Sequence, residues 1–254
     1  MTPPLCHVRA FSLTELLVVI ALIALLVGLS LPALARARAA SQRIACQSHL
    51  RQIGIAIFSY AADNNGVIPY GPKAPPATAY NFYPVTGDVT SLVCLQSGEP
   101  VGAGLLLHNY LGQYSRAIFC PGADQPVDAA TELAKVGVTQ AQSDYYYRHA
   151  SVAALSGNPP PPDHIRLADL GLNRQGQPIR ALACDVDFLC DPSLAPWGVV
   201  PRTNHERQFV NVLYCDGRVI TLNNTSDPLT VNVGYMPYNS LSKILGVFET
   251  ADKE

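Results

Sequence analysis

The chain has 254 residues, a net charge of −2 at pH 7, only 14% charged side chains, and 21 Pro and 18 Gly. The charge is unevenly spread, because residues 11–62 carry a net +3 and residues 63–254 a net −6. An acidic C-terminal region disfavours non-specific binding to phosphate backbones, so we expect no nucleic-acid partner.

An apolar segment near the N-terminus is predicted to cross a membrane. It follows a short leader, residues 1–10, that contains Arg9 and no acidic residue. Between Glu15 and Arg36 lie twenty residues without a charge or a side-chain amide, and a helix of that length covers about 30 Å, the thickness of a bilayer core. A carboxylate at the bilayer centre costs about 2.5–3.5 kcal/mol and less towards the surface. We therefore expect Glu15 to lie at a shallow depth or beside a positive partner.

The same helix is predicted to continue as an amphipathic stem over residues 36–62, which are rich in strong helix formers. The sequence DNNG at residues 63–66 is expected to end it. Gly28 and Pro32 are the expected points of flexibility where the helix leaves the membrane, because each weakens the helical backbone. Apolar side chains recur every three or four residues along the stem and form one stripe, namely Cys46, Leu50, Ile53, Ile57 and Tyr60.

Residues 63–254 are predicted to form a globular α+β head with long loops. The clearest signal is a β-hairpin over residues 208–222, with the turn residues Asp216 and Gly217 between its strands. The other predicted elements are strands at residues 116–120 and 179–186, a strand at 145–149 with one solvent-facing side, and short helices at 104–112 and 128–137.

The N-terminal sequence AFSLTELLVVIALIALLVGLSLPAL resembles that of type IV pilins and type II secretion pseudopilins. In that family a short basic leader is cut immediately before a Phe, which is then N-methylated. The resemblance implies cleavage between Ala10 and Phe11 and methylation of Phe11 by a prepilin peptidase/methyltransferase. The family's Glu at the fifth mature position matches Glu15, and its Pro at the twenty-second matches Pro32. This chain has Ala10 where the family usually has Gly.

The rest of the chain is similar to a bacterial group of pilin-like proteins that carry a C-terminal His…Asp-Gly element. The matching segments are residues 46–69, 118–121 and 204–219. The family motif falls on His205, Asp216 and Gly217. Ten residues separate His205 from Asp216 here, whereas that group usually has nine.

Together these resemblances imply a pilin-like α+β fold, in which a long N-terminal helix packs on an antiparallel β-sheet head. The implied segments are a leader (1–10), a transmembrane and assembly half of the helix (11–35), an amphipathic half (36–62) and the head (63–254). The implied function is structural rather than enzymatic: a major or minor subunit of a type IV pilus-like or type II secretion filament. Its partners would be other subunits and the inner-membrane assembly platform. The chain would cross the bacterial inner membrane once, with its head in the periplasm or on an extracellular filament.

In the family, Glu15 attracts the new α-amine of a neighbouring subunit and so sets the register of assembly. A charge pair in a low-dielectric setting has this effect physically, because either charge is costly alone. Two alternatives are pairing with the N-terminus of its own helix and a location among lipid headgroups.

The cysteines offer candidate disulfides if the head is exported. Cleavage after Ala10 would leave six of the seven, an even number that allows up to three disulfides, and buried free thiols are the alternative. These six are Cys46, Cys94, Cys120, Cys184, Cys190 and Cys215. No zinc-site spacing is evident, and we expect no cofactor, with Ca²⁺ as the one weak candidate. Asp185, Asp187 and Asp191 are the carboxylates that would bind it.

Two other functions remain open from the sequence. The chain could be an uncleaved, membrane-anchored periplasmic binding or enzymatic domain. It could also be a secreted protein released after Ala35, because residues 33–35 fit the small-residue pattern of a signal-peptide cleavage site.

Overall fold

The computed structural model describes residues 13–71, 90–124, 128–154, 161–197, 199–236 and 240–254. The expected cleavage site at Ala10 and Phe11 lies outside the described residues. The chain divides into two units, Met1–Ser41 and Gln42–Glu254.

The N-terminal helix α1 covers Leu13–Asp63. Its residues in the first unit, 13–41, are all solvent-exposed. Mean hydropathy reaches 2.8 over an 18-residue window, so the helix is long and apolar enough to span a membrane. The helix continues through Pro32, which has no N–H to donate to the preceding turn. Nearby, the Ser30 hydroxyl donates a hydrogen bond to the Leu26 carbonyl (2.7 Å).

In the second unit, the predicted apolar stripe of α1 is confirmed. Cys46, Leu50, Ile53 and Ile57 are buried, and Tyr60 is half-buried. The helix ends at the predicted turn, where residues 65 and 66 both have positive φ.

Beyond α1 the described residues form eight strands and three further α-helices. In chain order these are β1 (Leu92–Cys94), α2 (Ala129–Lys135), β2 (Ala141–Gln142), β3 (Tyr145–Tyr147), α3 (Ala150–Ala153), β4 (Ala181–Asp185), β5 (Phe188–Leu189), β6 (Phe209–Tyr214), β7 (Val219–Asn223), β8 (Val231–Asn232) and α4 (Ser240–Ala251). Strands β3, β4, β6 and β7 form an antiparallel sheet in the order β3-β4-β6-β7. The pairs β1–β2 (antiparallel) and β5–β8 (parallel) form two smaller sheets. The predicted α+β class, with a long N-terminal helix and an antiparallel sheet, is confirmed.

The four-stranded sheet is covered on both faces, because alternate side chains of its central strands enter different apolar clusters. Ala183 and Leu213 pack with the stripe of α1. Cys184 and Val212 pack instead with α4, around Phe248. Since period-2 alternation sends neighbouring residues to opposite faces, the sheet lies between the C-terminal part of α1 and α4.

Helix α1 approaches the sheet closely at Gly54. A Cβ at that position would lie 3.0 Å from Cδ1 of Leu213, on β6. Gly54 therefore serves close packing rather than flexibility, and it is buried.

Some predicted elements are confirmed, one predicted strand is wrong, and another strand is present but differs from the prediction in its burial. The hairpin of β6 and β7, the strand β4 and the helix α2 are present, and Asp128 caps α2 by accepting a hydrogen bond from the Thr131 N–H (2.8 Å). The strand predicted at 116–120 is wrong, because Gly112–Ile118 is a 3₁₀-helix; a short apolar run does not distinguish strand from helix. Strand β3 has no solvent-facing side, since Tyr145–Tyr147 is buried throughout.

Candidate metal centre

Four side chains of the kinds that bind metal ions lie close together in the interior of the second unit. They are Cys46 on α1, Cys120 after the 3₁₀-helix, Asp185 at the end of β4 and His205 before β6. All four are buried, and His205, the most exposed of them, keeps only 8% of its surface. One sulfur, nitrogen or carboxylate oxygen from each lies within 4.8 Å of the others.

The individual contacts link the four groups in a chain. The Cys46 thiol donates to Asp185 Oδ1 (3.1 Å), and Asp185 Oδ2 lies 3.6 Å from His205 Nε2. His205 Nε2 is in turn 3.3 Å from the Sγ atom of Cys120. The three contacts therefore connect all four groups, and both oxygens of Asp185 take part.

The sheet holds Asp185 in place through Asn211 on β6. The backbone N–H and the side-chain amide of Asn211 both donate to Asp185 Oδ2, at 2.7 and 2.9 Å. The side-chain oxygen Oδ1 of Asn211 accepts from the Thr221 hydroxyl (2.6 Å), and that hydroxyl accepts from the side-chain amide of Gln47 on α1 (2.7 Å). This hydrogen-bond chain joins α1, β7, β6 and β4 and fixes the carboxylate.

His205 is held by an unusual backbone turn. His205, Glu206 and Arg207 have consecutive φ values of +52°, +53° and +58°. L-residues enter this left-handed region singly and rarely in succession, because Cβ crowds the backbone there. The imidazole stacks on the ring of Phe209 at 4.5 Å, which fixes its plane.

The buried ion pair of Asp144 and Arg202 positions the backbone of Cys120. Its backbone N–H donates to Asp144 Oδ2 (3.1 Å), while Oδ1 of Asp144 accepts from Arg202 (2.9 Å). Asp144 and Arg202 are both almost fully buried. On the other side, the Gly122 N–H lies 3.3 Å from the Cys120 sulfur and donates to it.

Burial favours the neutral form of each group in the cluster. It raises the pKa of the Cys46 and Cys120 thiols and raises the pKa of Asp185 to about 7. Burial, with the charge of Arg43 as a second cause, lowers the pKa of His205 to about 4. The imidazole is therefore neutral at pH 7, which is the form that binds metals.

The arrangement suits coordination better than nucleophilic chemistry. Burial raises the pKa of both thiols and so disfavours the thiolate that a nucleophile needs. A bound metal ion would itself stabilise the thiolate form. Four buried protein ligands resemble a closed structural metal site, whereas catalytic zinc sites keep one position open for water or substrate.

The other residues predicted from the sequence are not members of this cluster. Glu15 is in the first turn of α1, and Gly28 and Pro32 lie further along it, all exposed. The family motif is split in the structure: His205 is in the cluster, whereas Asp216 is exposed at the opposite end of β6. There Asp216 accepts a hydrogen bond from the Arg218 N–H (3.0 Å), next to Gly217 at φ +84°.

The six described cysteines are all free thiols, so the structure forms none of the candidate disulfides among them. Cys94 and Cys184 are buried, and Cys190 and Cys215 are half-buried.

The three weak Ca²⁺ candidates do not share a site. Asp187 is buried and accepts hydrogen bonds from the Asn204 N–H and the Asn224 amide, at 2.9 and 2.8 Å. Asp191 accepts from the Ser193 N–H at the start of a 3₁₀-helix. Only Asp185 belongs to the metal-ligating cluster described above.

This cluster is not evident from the sequence, because its members are far apart in the chain and no two of them have the spacing of a known metal-ligand motif. One signal was present. Cys46, Cys120 and His205 each lie in a segment that carried the second family resemblance, residues 46–69, 118–121 and 204–219.

Comparison of the chain with protein-family models, with curated proteins and with solved structures returns no match.

Proposed function

We propose that the chain is a structural subunit of a type IV pilus-like or type II secretion filament that assembles through α1. This proposal is supported by the exposure of α1 in the first unit, where residues 13–41 form a mostly apolar helix that is solvent-exposed along its whole length. Most of its large side chains keep about half of their surface or more, from 44% at Val19 to 80% at Leu13.

Such a surface requires an apolar environment. Contiguous exposed apolar surface marks a membrane or protein contact, and a bilayer or the matching helices of other subunits would cover this one. In the proposed filament, the bilayer would cover this surface before assembly, and the helices of other subunits would cover it in the fibre core. The partners proposed here are other pilin-like subunits, the inner-membrane assembly platform and a prepilin peptidase.

The position of Glu15 supports assembly as well as anchoring. It is the only charged residue between residues 11 and 35 and lies in the first turn of α1. Cleavage between Ala10 and Phe11 would create an α-amine about one turn from this carboxylate. Pairing of Glu15 with the amine of a neighbouring subunit would neutralise two charges that are costly in lipid, and it would fix the register.

The mature N-terminus tests the proposal directly. Intact and peptide mass spectrometry of the membrane-extracted protein should show a chain that begins at N-methylated Phe11. A chain that begins at Met1 would support the uncleaved anchored domain, and one that begins at Arg36 would support secretion. Either result overturns the filament proposal.

The proposed orientation places the head outside the cytoplasm. Charge counting favours the reverse, because four arginines follow the span and Arg9 alone precedes it. These arginines continue α1 towards the head, and filament assembly requires an external head. Protease added to spheroplasts should degrade residues 42–254 without cell lysis; a fully protected head would contradict this orientation.

A further inference from the structure

We propose that Cys46, Cys120, Asp185 and His205 bind one structural Zn²⁺ ion, which fastens the C-terminal part of α1 to the β-sheet of the head. The inference is independent of the filament proposal, since all four residues lie in the second unit.

The distances between the four groups fit a tetrahedral ion. Zinc bonds of 2.0–2.3 Å place the four ligand atoms roughly 3.3–3.8 Å from one another. The sulfur of Cys46 is 3.1 Å from Oδ1 of Asp185, and the sulfur of Cys120 is 3.3 Å from Nε2 of His205. That nitrogen is 3.6 Å from Oδ2, the other oxygen of Asp185. The remaining pairs are within 4.8 Å, so shifts of a few tenths of an ångström to about one ångström would bring the atoms to bonding positions.

The donor set selects the class of metal. Two sulfurs, one imidazole nitrogen and one carboxylate oxygen are all accepted ligands of Zn²⁺. Ca²⁺ and Mg²⁺ require mostly oxygen ligands in larger number, so the two thiols disfavour them. Because four protein ligands complete the tetrahedron and all are buried, the site has a structural role.

Three of the ligands have an outer hydrogen-bond partner of the kind that metal sites use to orient ligands. Asn211 donates twice to Asp185, the Gly122 N–H donates to the Cys120 sulfur, and the Tyr145 hydroxyl lies 3.1 Å from the Cys46 sulfur. The tyrosine hydroxyl and the glycine N–H are donors suited to thiolates.

A positive side chain lies next to the site. Two thiolates and a carboxylate around Zn²⁺ leave a net charge of −1, which burial makes costly unless a cation is near. The guanidinium of Arg43 lies over the ring of Phe209 (5.5 Å), and the imidazole of His205 stacks on the same ring.

The ion would join parts of the chain that are distant in sequence. Its ligands come from α1, from the segment before α2, from β4 and from the turn before β6. Binding to such a site adds to the free energy of folding, because the unfolded chain does not present the four ligands together.

The test uses the full-length chain, purified in detergent without chelators. Elemental analysis should find one zinc per chain. Replacement of the zinc by Co²⁺ should give a thiolate-to-cobalt charge-transfer band and the intense visible bands of a tetrahedral cobalt centre. The variants Cys120→Ala and Asp185→Asn should each lower the affinity for zinc at least tenfold. The matched control is Cys94→Ala, a buried cysteine outside the cluster, which should retain the metal.

If a ligand variant fails to fold, the wild-type protein still decides the question. Removal of metal with a chelator should lower the Tm of the head by roughly 5–10 °C, and Zn²⁺ should restore it whereas Ca²⁺ and Mg²⁺ should not. Three results would overturn the inference: a Cys46–Cys120 disulfide in peptide maps of the native protein, a Tm that is insensitive to chelator, or equal zinc affinity in the wild type and the ligand variants.

Discussion

Gly122 lies against the imidazole of His205 so closely that a Cβ on Gly122 would be 2.5 Å from Nδ1. The two residues are also joined through the backbone, since the His205 N–H donates to the Gly122 carbonyl (2.9 Å). The φ of Gly122 is not in the left-handed region, so the position requires glycine for space alone.

The substitution Gly122→Ala should therefore displace the imidazole of His205. We expect it to reduce the zinc content of the purified protein and to lower the free energy of unfolding by about 1–3 kcal/mol, the usual cost of overpacking. Denaturant unfolding and elemental analysis of the same preparation measure both effects. The control is Gly246→Ala in α4, where a Cβ would have no atom within 4 Å. If Gly122→Ala behaves like this control, the close approach does not position His205.

Asn211 should be a positioning residue for Asp185. In Asn211→Ala the carboxylate loses the side-chain hydrogen bond to Oδ2 while the backbone N–H is retained. Loss of an outer-shell partner typically lowers metal affinity about 10–100-fold. Competition with a chromogenic chelator gives the zinc affinity. The control variant is Asn223→Ala, an exposed residue at the end of β7. An unchanged zinc affinity in Asn211→Ala, with normal folding, would show that Asp185 is held by other contacts.

The parts of the structure that the sequence predicted are those in which local periodicity decides the outcome. The stripe from Cys46 to Tyr60 repeats at the helical period, and DNNG provides the turn residues that end α1. The hairpin around Asp216 has two apolar runs and a glycine at positive φ, so its location is evident without knowledge of the tertiary contacts.

The candidate metal centre could not be predicted in the same way. Cys46 fits the apolar stripe of α1 as a small hydrophobic residue. The neighbouring sequence does not distinguish a metal-binding cysteine from one that only packs in the core. His205 reaches the cluster only through three consecutive left-handed residues, a conformation that no propensity favours. The prediction of a strand at 116–120 is wrong because Ala117 and Ile118 are buried at the end of a 3₁₀-helix, and this helix leads the chain to Cys120.

A second buried charge pair, Arg148–Asp252, should be important for the stability of the head. Both side chains are fully buried, and Asp252 at the C-terminal end of α4 accepts two hydrogen bonds from Arg148, at 3.0 and 2.9 Å. Asp252 also accepts from the backbone N–H groups of Arg180 and Ala181, both at 2.9 Å, and so ties α4 to β4.

The substitution Asp252→Ala should lower the free energy of unfolding by about 3–5 kcal/mol, because it leaves the Arg148 charge buried without its partner. The comparison is Arg218→Gln, which removes an exposed pair with Asp216 and should cost about 0–1 kcal/mol. Urea unfolding of the two variants in the same detergent measures the difference. Equal destabilisation would show that the buried pair contributes no more than a surface pair.

A substitution at Glu15 should separate a role in filament assembly from a role in membrane anchoring. Glu15→Gln keeps the size of the side chain and removes the charge that is proposed to pair with a neighbour's amine. Membrane insertion should be unaffected, since the loss of a charge makes α1 more apolar. Filament yield should fall roughly tenfold or more, because a loss of only about 1.4 kcal/mol per contact changes an equilibrium constant tenfold.

Sheared filaments and membrane fractions, quantified by immunoblot from the same cells, measure the two quantities separately. The matched control is Ser30→Ala, which removes another exposed polar side chain of α1, one that donates a hydrogen bond to the Leu26 carbonyl within the helix. It should leave both quantities unchanged. Normal filament yield with Glu15→Gln would refute the register role of Glu15, whereas loss of the protein from the membrane would point to anchoring instead. A charge that serves assembly must be dispensable for insertion and required for the fibre.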